Sequence, residues 1–68
     1  MTNLQMINRD VRRAIAINEL KYWQVAATIG IAEETLSRWL RHELTVKRRI
    51  LIQSAIEKLT AERRAVNG

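Results

Sequence analysis

A single internal glycine in a chain without proline leaves few places where the backbone can turn sharply. That residue is Gly30; the other glycine is Gly68, in a chain of 68 residues. With so few helix breakers, long helices and short connections are the favoured outcome. The residues around Gly30 fit a corner between two helices. Val25, Ala26 and Ile29 recur at helical spacing and predict a helix over 22–29. Glycine then ends it, because it takes the left-handed conformation without a Cβ clash. Ile31 plugs the corner. A second helix is expected from Ala32 or Glu33 to Arg41, with Leu36, Trp39 and Leu40 facing inward. Ala26 falls where the two helices cross most closely, so a larger side chain there would hold them apart.

The whole stretch, LKYWQVAATIGIAEETLSRWLR over 20–41, resembles the helix-turn-helix of phage repressor and Cro-like regulators. It looks most like the small helix-turn-helix proteins of Gram-positive bacteria, their phages and their mobile elements. The resemblance rests on the alanine, the glycine and the core positions, and it is looser over the flanking helices. It implies sequence-specific binding of double-stranded DNA and a role in transcriptional control. Two positions depart from the pattern. Lys21 stands where relatives carry a Thr or Ser N-cap, which removes a capping bond worth roughly 1 kcal/mol. Ala32 stands where they carry Ser or Asn, and there Glu33 and Glu34 compensate as carboxylates at a positive helix terminus.

The flanks complete an all-α fold, a compact bundle of four helices in one domain over 1–68. A first helix is expected from Thr2 or Asn3 to Ile17, with Leu4, Ile7, Val11, Ala14 and Ile15 as its apolar stripe. Gln5, Arg9, Asp10, Arg12 and Arg13 would lie on its outer face. Asn18 is expected to close it in a left-handed conformation. Because Glu19 stands where relatives often have Gly, that turn can shift by one residue. After a connection over 42–44, Thr45 caps a last helix whose inner stripe is Leu51, Ile52, Ala55, Ile56 and Leu59. This helix is expected to run to 62–64, leaving 65–68 as a loose tail.

Composition excludes several classes. There is no cysteine, so disulfides and thiolate metal sites are ruled out. One histidine, His42, and one aspartate, Asp10, offer no nucleophile–base pair and no metal-ligand spacing. No enzyme, cofactor or metal is expected. No apolar run approaches the ~20 residues that cross a bilayer. The start, MTNLQMINRD, lacks a signal-peptide pattern, so a cytoplasmic protein without a membrane partner is the expectation. Twelve Lys and Arg against seven Asp and Glu give a net charge of +5. An excess of that sign on a small domain suits a polyanionic partner.

The second helix of the motif is the one that enters a major groove, where each base pair shows a distinct edge. Its outward residues, taken as base-reading, are Glu33, Glu34, Thr35, Ser37, Arg38 and Arg41. Arg38 is the leading candidate, since a guanidinium bridges O6 and N7 of guanine. For at least one of the two glutamates, helix-terminus stabilisation outweighs base reading. Phosphate contacts set the register. The candidates are Lys21, Tyr22 and Gln24 before the reading helix, and His42, Lys47 and Arg48 after it. Tyr22 has two equal readings: hydroxyl to phosphate, or ring over the motif's entrance. Trp39 is expected in the core and Trp23 partly buried against the first or last helix. Val46, Ile50 and Ser54 lie away from the inner stripe of the last helix. They form either a local contact of Ile50 with Trp39 or Leu44, or a homodimer surface.

Two other functions use the same residues differently. A protein-binding module of the antirepressor type would grip a repressor through Val46 and Ile50 or through Tyr22 and Trp23. An accessory DNA-binding factor for excision or recombination would use the same motif as a regulator.

Overall fold

The spacing of apolar residues produces four helices in the computed structural model, which describes residues 7–67. They are α1 (Arg9–Ile17), α2 (Tyr22–Ile29), α3 (Glu33–Leu40) and α4 (Val46–Asn67), and no strand occurs among the described residues. The longest, α4, packs on both α1 and α2, and α2 packs on α3. The compact core between them takes Val11 and Ile15 from α1, Val25 and Ala26 from α2, and Leu36 and Leu40 from α3. Ile52, Ala55 and Ile56 of α4 close it, with Leu20 and Leu44 entering from the connections.

The corner at Gly30 forms as expected. Gly30 has φ 96°, a left-handed value. The N–H of Gly30 donates to the Ala27 carbonyl at 3.2 Å, and that of Ile31 reaches back to Ala26 at 3.0 Å. This pairing closes the last turn of α2 and turns the chain into α3. A Cβ on Gly30 would meet nothing within 4 Å. Torsion, not space, therefore demands glycine here.

The run expected to reach Ile17 is interrupted at Asn8, which is left-handed at φ 57°, so α1 starts at Arg9. The start expected at Thr2 or Asn3, with Leu4 and Gln5, lies outside the described residues. The physical cause is a long-range demand. The Asn8 side-chain amide donates to the Leu40 carbonyl at 3.1 Å and to the His42 carbonyl at 2.7 Å. Arg12, expected on the outer face, turns inward for the same purpose. Its Nη2 donates to Leu40 O at 3.0 Å and its Nε to Ile7 O at 3.2 Å.

At the other end of α1, Asn18 keeps φ −86° and Glu19 takes the left-handed conformation at φ 55°. The expected reversal thus occurs one residue later, at the position where relatives often carry Gly. Leu20 N–H donates to Ile15 O and Glu19 N–H to Ala16 O, both at 3.0 Å. Asn18 contributes through its side chain, donating to Ala14 O at 2.7 Å. A left-handed glutamate is strained by roughly 1 kcal/mol relative to glycine. Glu19→Gly also removes an exposed ion pair with Arg63 at 3.1 Å, worth about 0–1 kcal/mol. We expect a net gain of a few tenths of a kcal/mol, seen as a melting temperature raised by about 2–4 °C. A lower melting temperature would mean that the ion pair outweighs the strain.

Thr45 caps α4 as expected, its Oγ1 accepting from Arg48 N–H at 3.2 Å. The helix continues to Asn67 instead of stopping by Arg64, so 65–67 are helical where a loose tail was expected. Leu51 does not join the inner stripe and is 39% exposed. Successive helical residues lie about 100° apart, and with Ile52, Ala55, Ile56 and Leu59 centred on the core, Leu51 falls at the edge.

Candidate functional site

Burial of Leu36 and Leu40 against the core leaves the opposite side of α3 to solvent. Glu33, Glu34, Arg38 and Arg41 are exposed there, and Ser37 is half-buried. These five residues line one open cleft. Thr35, expected beside them, is half-buried and does not line it. Among the described residues the ion pairs are Arg49–Asp10 and Arg63–Glu19. The two glutamates and two arginines of the α3 face therefore have no ionic partner within the described chain. Their charges are presented outward.

The flanking set divides. Lys21, His42, Lys47 and Arg48 are exposed. Tyr22 is half-buried with its ring against the core, which favours the packing reading of that residue. Gln24 is half-buried, and its Oε1 accepts the Lys21 N–H at 2.8 Å. Gln24 thus supplies a cap at the start of α2 that Lys21 itself does not. Its amide NH2 remains a donor.

Trp23 is 58% exposed and, partly covered as expected, borders a cleft with Leu59, Glu62 and Arg63 of α4. Trp39 packs against the core but is only half-buried, less than its inward position predicts. The Arg48 guanidinium lies over its ring, 4.6 Å from the centroid. Val46 and Ile50 are 77% and 55% exposed, and Ser54 is exposed beside them. Ile50 is therefore not sequestered by a local contact.

Three residues that matter to the site's geometry are ones the sequence reading left on a solvated surface or unassigned. Asn8, Arg12 and Arg49 gather where α3 ends. Arg49 donates to Asp10 at 2.6 Å and to Asn8 Oδ1 at 3.4 Å. Asn8 and Arg12 supply donors to the Leu40 carbonyl at the C-terminus of α3. A cation at a helix C-terminus meets its partial negative charge favourably. This clamp joins α1, the end of α3 and the start of α4. The one sequence signal was Asn8 itself: asparagine is poor inside a helix and tolerates left-handed backbone.

No group of three or more His, Cys, Asp or Glu gathers as a metal site among the described residues. Among them, no helix is long and apolar enough to cross a membrane. No protein-family model matches the chain, and neither curated proteins nor solved structures yield a match.

Proposed function

We propose that α2, the turn at Gly30 and α3 form a helix-turn-helix, and that α3 enters the major groove of double-stranded DNA. The chain then acts as a sequence-specific transcriptional regulator. The phage or mobile-element setting follows from the family resemblance alone, and the expected cytoplasmic location from the absence of a signal-peptide pattern and of an apolar membrane-crossing run. The observation that carries the proposal is the exposed face of α3, where Glu33, Glu34, Ser37, Arg38 and Arg41 line one surface over a buried Leu36 and Leu40. A helix of this width fits the groove, and Arg38 and Arg41 suit guanine edges or phosphates. Lys21, His42, Lys47 and Arg48 are exposed on the segments before and after it, where phosphates would flank an inserted helix. Glu33 and Glu34 oppose phosphate, so non-specific affinity is expected to be low.

Selection of bound duplexes from a random DNA pool tests the reading. Enrichment of one half-site supports it, and half-sites about one helical turn apart would add pairing of two copies. A pool that stays random would instead support the protein-gripping alternative, which the exposure of Trp23, Val46 and Ile50 favours as a second reading. On the selected duplex, Lys47→Ala is expected to weaken all sequences alike. It should make the log–log salt dependence shallower by about 0.9, measured by titration at several salt concentrations. An unchanged slope removes Lys47 from the phosphate set.

A further inference from the structure

Trp39 departs from the pattern of the residues around it. Its neighbours on α3, Leu36 and Leu40, are wholly buried. Trp39 lies one step around the helix from Leu40 and is only half-buried. Over its ring sits a cation from another element. The Arg48 guanidinium is 4.6 Å from the ring centroid, although Arg48 as a whole is exposed. A cation–π contact holds a guanidinium through its charge and does not use up its five N–H donors as hydrogen bonds to acceptors. No hydrogen bond from those donors occurs among the described residues. The backbone beneath is fixed too, since the Arg48 N–H is held by Thr45 Oγ1 at 3.2 Å. Arg48 is thus a cation anchored at its base and held over the indole, with its guanidinium donors unbonded among the described residues.

We infer that Trp39 is a positioning residue that holds Arg48 as a pre-formed clamp for a DNA phosphate beside α3. The inference rests on the groove reading proposed above. The physical reason is entropic. A free arginine loses much of its rotamer freedom when it binds a phosphate. A guanidinium already held on an indole has less to lose, and its edge still offers paired donors to two phosphate oxygens. A sequence pattern that reads Trp39 as core accounts for the apolar half of the ring. It does not account for the half that Arg48 covers.

A double-mutant cycle on the duplex selected from the random pool tests this, at a temperature where circular dichroism finds every variant folded. Arg48→Ala should make the log–log salt slope shallower by about 0.9. Trp39→Leu should weaken binding by roughly two- to fivefold on preferred and non-preferred duplexes alike, and Trp39→Phe should recover part of that loss. In an Arg48→Ala background, Trp39→Leu should cause no further loss. An equal loss in both backgrounds would mean that Trp39 acts only through the fold, and the positioning role is then wrong while the groove reading stands. If the unmodified protein selects no duplex, the groove reading and this role fall together.

Discussion

Asn8→Ala is expected to lower the melting temperature by about 10–20 °C, more than any surface change in this chain. Asn8 is 8% exposed, and its amide donates to the carbonyls of Leu40 at 3.1 Å and His42 at 2.7 Å. Removing the amide takes away the part-buried bond to the His42 carbonyl and one of the donors to Leu40 O, together about 1–2 kcal/mol. Arg12 still donates to Leu40 O, so that carbonyl is partly protected. Alanine must also take the left-handed torsion that Asn8 has at φ 57°, adding about 1 kcal/mol. The sum is roughly 2–3 kcal/mol, and each kcal/mol moves a domain of this size by about 4–8 °C. Asn8→Gly separates the two causes: it accepts the torsion but lacks the amide, and should recover only the smaller part. Thermal denaturation of both variants measures this. If both melt within about 3 °C of the unmodified protein, the clamp at the end of α3 contributes little.

Arg38→Ala is expected to change which DNA is bound, not merely how tightly. Arg38 is exposed on α3 and shares its cleft with Ser37, Arg41 and the two glutamates. No ion pair within the described residues occupies it. A bidentate arginine–guanine pair discriminates by about 1–3 kcal/mol against the wrong base. Loss of the side chain should therefore abolish preference at one or two base pairs and leave it intact elsewhere. Arg38→Lys should keep much of the charge attraction but not the preference, because an ammonium lacks the planar fork. Repeating the duplex selection with each variant reads this out. An unchanged preferred half-site after Arg38→Ala would remove the residue from base reading. Together with an unchanged salt slope for Lys47→Ala, it would overturn the proposed insertion of α3.

The two helices around Gly30 were legible because everything that makes them is local. Val25, Ala26 and Ile29 lie within one or two turns, and the left-handed torsion belongs to one residue. Their observed bounds, Tyr22–Ile29 and Glu33–Leu40, lie within a residue of those the periodicity marks. The outward face of α3 followed directly, since burying Leu36 and Leu40 exposes the residues opposite them. Periodicity places Trp23 beside the inward set, not in it. Its neighbours lie inward, but the surface beside it is too open to cover an indole, and it remains 58% exposed. Leu51 and Trp39 are less buried than their spacing predicts for a related reason: an apolar residue at the edge of a stripe is fully buried only if a second element reaches that far.

From residue order alone come the all-helical class, the corner at Gly30, the inward set of α2 and α3, and the excess of positive charge. Each depends on interactions within a turn or two of helix, or on composition, and these do not require knowing what lies across the fold. Packing alone decided where α1 begins, which arginines are structural, and what covers Trp39. Asn8 and Arg12 serve the carbonyl of Leu40, 32 and 28 residues further along the chain. A buried helix end must find hydrogen-bond donors wherever the fold brings them. The tolerance of asparagine for left-handed backbone is visible at Asn8, but nothing near it in the chain shows that the carbonyls it serves lie at the end of α3 and just beyond it.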